Sequence, residues 1–390
     1  MGSKAEELVY SGLFTADLHM GNFLPHAKPT EEGRTDRLDD QIRMWKKFNL
    51  ILKKYGNKQE RPDLFINGDL FNVSRLDAVT AAETSKCLSE AKAFVRIVPG
   101  NHDANNLQGG RFVTEMYKYG SDNVTCMDHN VAPFSPTSWL NFWHLEYASL
   151  EKSRAILESY RDRISQKHKG QINVLLFHNS VIGCQHYGWS CDIGLTVEEL
   201  SESFNHVIGG HFHKHQTFLN DNGRKGFYLG SPMHHRFDDV GRESCVWFLK
   251  FYEDGRLKRK KIRIGMPEFH LIDWKRYSGD LEFEVDDYVR FVVKATHAEW
   301  SKIKSGVIEH VKELKLKGIR AEYKHDPVYH HESRLNQTAG EAASSPEQAI
   351  MDYVDSKGVN TEGLDESELK SIGLKALEQV RTLNDDSEAA

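Results

Sequence analysis

Short apolar runs alternate with amphipathic stretches along the first half of the chain. The runs are rich in β-branched and aromatic residues and end in glycine or polar residues, as buried strands do. They occupy residues 8–16, 63–67, 94–98 and 172–177. Between them, apolar side chains recur every three or four positions and predict helices before Gly56, through 78–91 and through 150–167. Strands that alternate with helices in this way indicate an α/β fold.

The pattern changes to β-hairpins after about residue 213. Residues 244–252 and 256–264 flank a Glu-Asp-Gly turn and predict one such hairpin. Strands of this kind, added to an α/β core, favour a sandwich of two sheets with helices outside.

The chain divides into four predicted parts. Residues 1–265 hold the α/β pattern, and Pro267 follows at its end. A strand, a helix and a second strand then predict a small α+β module at 266–331. Residues 332–345 have the composition of a linker, and residues 346–390 carry two short amphipathic helices. Helices this short bury little surface alone, so we expect this C-terminal helical tail to dock on a partner.

Composition narrows the class of protein. The 390 residues are 39% hydrophobic and 28% charged, and no apolar run is long enough to span a membrane. The first residues are polar, unlike a secretory signal. The five cysteines are scattered, which argues against a disulfide framework or a zinc–cysteine site. We therefore expect a cytoplasmic protein without membrane contact.

The net charge excludes a general polyanion binder. It is −6 at pH 7, so contact with nucleic acid needs a local basic face. Arg256, Lys258 and Lys260 crowd one hairpin arm and are candidates for phosphate contacts, although a sheet edge protected by charge explains them equally well. Several aromatic residues could stack on bases, but core packing is the favoured role for them. They are Trp139, Trp143, Tyr147, Tyr187 and Trp189.

Oxygen and nitrogen ligands follow the ends of the predicted strands. They are Asp17, His19, Asp69, Asn101, His178, His211 and His213. This mixture of carboxylate, amide and imidazole suits manganese, iron, zinc or magnesium. Asp-x-His and His-x-His on extended backbone direct both side chains to one face, and Asp69 is the natural bridge between two ions. Two cations about 3.5–4 Å apart activate water and stabilise an in-line displacement at phosphorus.

His102 stands beside Asn101 and need not be a ligand. It could protonate the leaving oxygen, with Asp103 orienting its ring and raising its pKa. We therefore predict His102 and Asp103 as catalytic residues. Any one of these motifs alone is weak evidence, but together they recur after five separate predicted strands.

The motifs resemble the five signature blocks of the calcineurin-like metallophosphoesterases. The blocks are Asp17-x-His19, Gly68-Asp69, Gly100-Asn101-His102-Asp103, His178 and Gly210-His211-x-His213. The resemblance implies a four-layer α-β-β-α sandwich with two ion sites. One site would be held by Asp17, His19, Asp69 and His213, and the other by Asp69, Asn101, His178 and His211. His102 falls on the family's catalytic histidine.

A narrower resemblance is to the SbcD-type nuclease, the prokaryotic and phage counterpart of the double-strand-break repair nuclease. It rests on the segments Asp17-Leu18-His19-Met20-Gly21, Gly68-Asp69-Leu70-Phe71 and Gly230-Ser231-Pro232-x-x-x-Arg236-Phe237-Asp238. Met233-His234-His235 departs from the apolar residues expected after Gly-Ser-Pro.

The SbcD-type resemblance implies a DNA exonuclease and endonuclease in which residues 266–331 form a capping domain. The C-terminal helices would bind an SbcC-type coiled-coil ATPase, and the chain would be a homodimer within a heterotetramer. Two divalent ions are implied, with manganese the expected metal. Dimerisation would use the early helices, although Trp45 and Phe48 could equally be core residues.

Two other functions compete with the nuclease. A stand-alone phosphatase or small-molecule phosphodiesterase would use the same chemistry, and a binding module would retain only a vestigial metal site. The capping module and detached helices favour the nuclease over the first alternative. The complete ligand set disfavours the second.

Overall fold

The computed structural model describes most of the chain up to residue 328. The described residues are 7–22, 26–56, 62–106, 110–119, 122–219, 225–328, 351, 365, 367, 369–375 and 377. The strands are β1 Leu8–Thr15, β2 Asp63–Asn67, β3 Phe94–Val98, β4 Val124–Cys126, β5 Phe134–Thr137, β6 Leu140–Leu145, β7 Ile172–His178, β8 Gln185–His186, β9 Trp189–Ser190, β10 His206–Gly210, β11 Gln216–Leu219, β12 Lys225–Tyr228, β13 Cys245–Tyr252, β14 Leu257–Arg263, β15 Phe269–Asp273, β16 Tyr288–Ala295 and β17 Arg320–Pro327. The α-helices are α1 Asp36–Tyr55, α2 Ala78–Ser89, α3 Leu150–Lys167, α4 Val197–Ser201 and α5 His297–Leu316.

Two six-stranded sheets form the larger part of the fold. The first has the order β14-β13-β1-β2-β3-β4, and the second has the order β11-β12-β10-β7-β6-β5. Strands β1 to β4 are parallel to one another, as are β6, β7, β10 and β12. The carboxyl ends of the central strands therefore share one edge in each sheet, which is where open α/β sheets bind ligands.

The two sheets pack face to face with helices on both outer sides. Aromatic and aliphatic side chains fill the space between the sheets, and Phe14 of β1 stacks on Phe65 of β2 with ring centroids 4.4 Å apart. Helices α1 and α2 cover the first sheet, and α3 and α4 cover the second. The predicted four-layer α-β-β-α sandwich is confirmed.

Helix α1 packs its apolar stripe against the first sheet. Thr35 caps its first turn, and Gly56 follows its last residue. Trp45 and Phe48 belong to the core, with 2% and 0% of their surface exposed. These two side chains are therefore core residues and present no surface for dimerisation.

The predicted capping region contains a three-stranded sheet, β15-β16-β17, covered by α5. Strand β15 was not predicted from the sequence, because it is short and mostly half-buried, so its hydrophobic pattern is weak. Residues 1–326 form one compact unit, which includes this region, and residues 327–390 form a second. The domain boundary at 265 stays a prediction.

Charged and aromatic side chains join the capping region to α1. The rings of Phe269 and Tyr288 stack with centroids 4.3 Å apart, and the buried guanidinium of Arg37 lies 5.3 and 5.1 Å from those centroids. Arg320 of β17 forms an ion pair with Asp40 of α1, with Nη1 and Oδ2 2.6 Å apart. A buried cation beside aromatic rings is stabilised by cation–π attraction because water is excluded.

The predicted linker at 332–345 and the helix that begins near Pro346 lie outside the described residues. In the second predicted tail helix, residues 369–375 are helical. None of the helices among the described residues is both long enough and apolar enough to cross a membrane.

Candidate metal centre

The predicted ligands come together where the carboxyl edges of the two sheets meet. Asp17, Asp69 and Asn101 follow β1, β2 and β3 of the first sheet, whereas His178 ends β7 and His211 follows β10 of the second. The backbone N–H of His211 donates to the Asp17 carboxylate at 3.0 Å, which ties one edge to the other. All seven predicted ligands therefore lie in one cluster, although each sheet supplies only part of the set.

One group of donor atoms surrounds the end of β1. Asp17, His19 and His213 offer ligand atoms that all lie within 4.8 Å of one another. The Nε2 atoms of His19 and His213 are 3.0 Å apart, and His19 Nε2 is 3.7 Å from Asp69 Oδ2. This is the set predicted for the first ion.

A second group surrounds the end of β7. Asn101 Oδ1 is 3.1 Å from His178 Nε2 and 3.0 Å from His211 Nδ1. Asp69 Oδ2 is 3.3 Å from His178 Nε2, so this carboxylate faces both groups. The position of Asp69 between them is the one that a bridging ligand requires, and the assignment of each ligand to an ion stays a prediction.

Backbone strain is concentrated at these residues. Asp17, His19, Asp69 and His211 have φ angles of 56°, 49°, 52° and 105°, in the left-handed region that L residues rarely adopt. Each such residue costs on the order of 1–3 kcal/mol and persists only where the surrounding fold enforces it. The fold enforces these conformations at four of the seven predicted ligands.

Close packing around the ligands leaves room only for glycine at several positions, among them Gly68 and Gly100. A Cβ atom added to Gly68, which has a φ of +88°, would lie 1.8 Å from His178 Nδ1. A Cβ atom added to Gly100 would lie 2.1 Å from Asp69 Oδ1. The glycines of the two motifs thus allow the strand ends to approach the ligand side chains.

Two of the predicted imidazole ligands are in the protonation state that metal binding requires, and a third must first lose a proton. Burial lowers the pKa of His19 well below its ordinary value and that of His211 to about 3, so both rings are neutral at pH 7. Although burial also opposes the charging of His178, the nearby Asp69 carboxylate raises its pKa to about 9. Neutral imidazoles and carboxylate oxygens that converge at about 3 Å present lone pairs to one another, an arrangement that a divalent cation stabilises. The residues present therefore fit divalent ions.

His102 lies at the exposed rim of this cluster. Its Nδ1–H donates to the backbone carbonyl of Asn72 at 2.7 Å, and its ring packs edge-on against His19 with centroids 4.6 Å apart. One of its ring nitrogens lies within 4.8 Å of ligand atoms on His19 and Asp69. The position is suitable for a group that transfers a proton to a substrate on the cluster.

The predicted role of Asp103 in orienting His102 is wrong. Its buried carboxylate accepts backbone N–H groups of Gly100 and Phe71 at 2.9 Å and of Leu70 at 3.3 Å. Burial raises the pKa of Asp103 to about 7. The side chain folds under its own loop and holds the loop against the end of β2, while the Asn72 carbonyl orients His102.

Sequence reasoning missed Asp239, which contacts the predicted ligand His213 at the ring nitrogen that faces away from His19. Its Oδ1 lies 3.3 Å from His213 Nδ1 and 2.9 Å from Arg242 Nε, and its Oδ2 accepts the N–H of His235 at 2.7 Å. Burial disfavours the charged form, but the hydrogen bond with His213 and the charge of Arg242 hold the pKa of Asp239 below its ordinary range. The only sequence signal was its place one residue after the Gly-Ser-Pro-containing segment.

A short hairpin, β8–β9, carries a second missed contact. The hydroxyl of Tyr187 lies 3.2 Å from His213 Nδ1. The expected core packing is confirmed for Trp143, which is 1% exposed, and wrong for Trp139 and Trp189, which are 54% and 80% exposed. Hydrophobicity alone predicted burial, whereas the turn that carries Trp139 and the hairpin that carries Trp189 leave both side chains at the surface.

Two of the candidate phosphate-binding residues, Lys258 and Lys260, lie on the edge strand β14 of the first sheet, and Arg256 directly precedes this strand. Lys258 pairs with Lys250 of β13, which pairs with Ser11, six positions before Asp17 along β1. Arg256 and Lys258 are thus near the end of the sheet opposite to the metal cluster. Their position fits the alternative of an edge protected by charge, and the nucleic-acid contacts of Arg256, Lys258 and Lys260 stay a prediction.

Comparisons with known proteins give one family match and several distant structural similarities. The family model for calcineurin-like phosphoesterases matches residues 13–215, a stretch that contains all seven predicted ligands. A dimetal phosphatase from Danio rerio is similar at 13% identity and a TM-score of 0.36, over 66% of this chain and 100% of its own. A hypothetical protein from Thermus thermophilus is similar at 12% identity and a TM-score of 0.34, over 65% of this chain and 98% of its own. No match was found among curated protein sequences.

Proposed function

The chain belongs to the calcineurin-like phosphoesterase family, and from this membership we propose that it is a two-metal phosphodiesterase that cleaves DNA. We further propose that it acts as the nuclease subunit of an SbcC–SbcD-like DNA end-processing complex. Manganese is the proposed metal, with magnesium, iron and zinc as alternatives that the same donor set would accept.

The observation that supports the nuclease assignment is the location of the SbcD-like segment around Gly230-Ser231-Pro232. The Ser231 hydroxyl donates to the Asp17 carbonyl at 2.9 Å, and His235 Nε2 lies 2.9 Å from the same oxygen. Asp239, directly after the segment, contacts His213. The SbcD-like segment, through Ser231, and the residues next to its matching positions, His235 and Asp239, therefore form part of the wall of the metal centre. Side chains in this wall contact the substrate region and can select the substrate.

The chemistry divides between the metal ions and His102. When bound, two divalent ions supply Lewis-acid stabilisation of the charge on the phosphoryl oxygens and make water a better nucleophile. The Asn72 carbonyl accepts Nδ1–H of His102, which leaves Nε2 to hold the proton that passes to the leaving oxygen. The same carbonyl stabilises the positive ring before that proton leaves. His102 is therefore the proposed general acid.

Replacement of His102 by alanine tests this division. We expect His102→Ala to lose DNA cleavage by about 100-fold or more, the usual range for a general acid, and to keep its metal content. The control is His310→Ala, a change of the same kind in α5 of the capping region. Cleavage by His102→Ala at the wild-type rate would refute the assignment of the proton donor.

Substrate assays separate the nuclease from its alternatives. The full chain should cleave linear and hairpin duplex DNA with manganese or magnesium, with an ATPase partner and ATP as further variables. Hydrolysis of a small phosphomonoester or diester without any cleavage of DNA would support the stand-alone phosphatase or small-molecule phosphodiesterase. Absence of all hydrolysis by the metal-loaded chain would support the vestigial binding module.

The partner proposal concerns the tail. We propose that residues 346–390 bind the coiled-coil base of an SbcC-type ATPase and that the nuclease is a homodimer within a heterotetramer. Removal of residues 336–390 should abolish co-purification with the ATPase while the truncated chain retains metal. Continued association of the truncated chain with the ATPase would refute this role.

A further inference from the structure

The β8–β9 hairpin is a rigid projection at the rim of the metal centre. Its two central residues, Tyr187 and Gly188, have φ angles of 46° and 89°. Two consecutive positive φ angles describe the tight turn that matches the twist of paired strands. A two-residue turn of this kind leaves little freedom to the residues on either side.

Contacts at the tip anchor the hairpin to the metal centre. The Tyr187 hydroxyl lies 3.2 Å from His213 Nδ1 and accepts a hydrogen bond from Arg236 Nη2 at 3.0 Å. The guanidinium of Arg236 also lies over the Tyr187 ring, 4.8 Å from its centroid. The hairpin is therefore fixed relative to a predicted metal ligand.

Trp189 follows this turn and is 80% exposed. Ile193, four positions further along, is 77% exposed. Single exposed apolar side chains are common on protein surfaces, so exposure alone indicates no role for Trp189. Its location does, because Trp189 stands two positions after Tyr187, whose hydroxyl contacts His213 at the metal centre.

A cationic side chain accompanies the aromatic ones. A cavity of about 320 Å³ lies between the hairpin and the segment that follows Asp238, and the exposed Lys214 lines it together with His186 and Tyr187. The Asp239 carboxylate also lines it but is paired with the buried Arg242. Aromatic faces next to cations match a strand of nucleic acid, whose bases stack on rings and whose phosphates need positive charge.

We infer that Trp189 stacks on an unpaired base of the DNA strand whose phosphodiester lies at the metal centre. This inference rests on the proposed function and names its substrate more closely. In an intact duplex, neighbouring bases cover both faces of every internal base, so only a frayed, single-stranded or looped nucleotide can stack on an indole. The preferred substrate is therefore DNA that is unpaired next to the scissile bond.

Four KM measurements test the inference with the full, metal-loaded chain: the wild type and Trp189→Ala, each on two substrates. The substrates are a single-stranded oligonucleotide and the same strand with abasic residues around the cleaved bond. We expect Trp189→Ala to raise the KM for the base-bearing strand by about 5- to 150-fold, the range of one base–aromatic stack. Removal of the bases should raise the wild-type KM by a similar factor and should add little to that of Trp189→Ala, because both changes remove one contact.

Trp139→Ala is the matched control. Trp139 is the other exposed tryptophan discussed above, and its carbonyl accepts the N–H of Ile172, at the end of β7 opposite to His178. Trp139→Ala should match the wild type on both strands, and Trp189→Phe, which keeps an aromatic face, should retain most of the affinity.

Two results would overturn the inference while the proposed function stands. One is a Trp189→Ala chain with the wild-type KM for the base-bearing strand. The other is a rise in KM of equal size for both strands in Trp189→Ala, which would mean that Trp189 does not contact bases. Failure of the proposed function looks different, since the wild type would then hydrolyse bis(p-nitrophenyl) phosphate but neither strand, and the inference would fail with it.

Discussion

Replacement of Asp239 by asparagine should weaken metal binding although Asp239 is not itself a predicted ligand. The carboxylate is 1% exposed and contacts His213 Nδ1 from the side opposite to the metal cluster. A carboxylate in this position fixes the tautomer and direction of the ring and makes the other nitrogen a better ligand. Asparagine keeps the shape of the side chain and loses the charge.

The expected magnitude follows from two contacts. Loss of an outer partner of a metal-binding histidine costs about 10- to 100-fold in metal affinity, or about 1.4–2.7 kcal/mol. The substitution also leaves Arg242, 8% exposed, without its buried counter-charge 2.9 Å away. Breaking a buried ion pair from one side costs about 3–5 kcal/mol. We expect the free energy of unfolding to fall by about 3 kcal/mol, the lower end of this range, because the asparagine oxygen still accepts a hydrogen bond.

Competition with a chromophoric chelator would measure the affinity, and thermal unfolding without metal would measure the separate effect on the fold. Asp238→Asn is the matched control, since the neighbouring side chain is 65% exposed and lies 3.6 Å from Arg236. An exposed pair of this kind contributes at most about 1 kcal/mol. Equal metal affinities for the two variants would refute the positioning role of Asp239.

Three further predictions concern the metal centre. Metal affinity should rise with pH up to about 9, because the pKa of His178 is about 9 without metal and its proton must leave before the ring can bind an ion. Calorimetry in buffers of different ionisation enthalpy should detect proton release on metal binding at pH 7, and absence of that release would contradict the assignment of His178 as a ligand. Gly68→Ala should lose metal affinity through the contact with His178, whereas Gly183→Ala should not, since that residue has a φ of +82° but nothing within 4 Å of an added Cβ; metal content of the two purified variants is the comparison. Metal at 100 times its dissociation constant should stabilise the fold by about 2.7 kcal/mol per site. The unfolding temperature should therefore rise with metal concentration in the wild type and much less in Asp69→Asn, and an equal rise in both would exclude Asp69 as a ligand.

The sandwich and the cluster of ligands were predictable because both depend on local sequence patterns. Asp17, Asp69 and His178 directly follow or end buried strands, and the carboxyl ends of parallel strands share an edge whatever the loops do. A short apolar run that ends in a turn is thus enough to predict that such residues come together. The assignment of roles to the ligands needed more than this pattern.

The contacts of several loop side chains were not predictable, because neighbours in sequence need not be neighbours in space. Asp103 follows His102 directly, yet the turn directs one side chain under the loop and the other toward the rim. Asp239 reaches His213 across 26 positions through a segment without regular periodicity. For Trp189, composition gave the hydrophobicity of the side chain but not the surface location of its hairpin.

The hydrogen bond between His211 and Asp17 has a consequence for how the protein is made, because it joins residues 194 positions apart. During synthesis, β1, β2 and β3 emerge early, and the loops that follow them offer four of the seven predicted ligands. The remaining three arrive with β7 and β10, which are themselves strands of the second sheet. A nascent chain is therefore a poor chelator, and its choice among cellular metals is made late, when the two sheet edges close on each other.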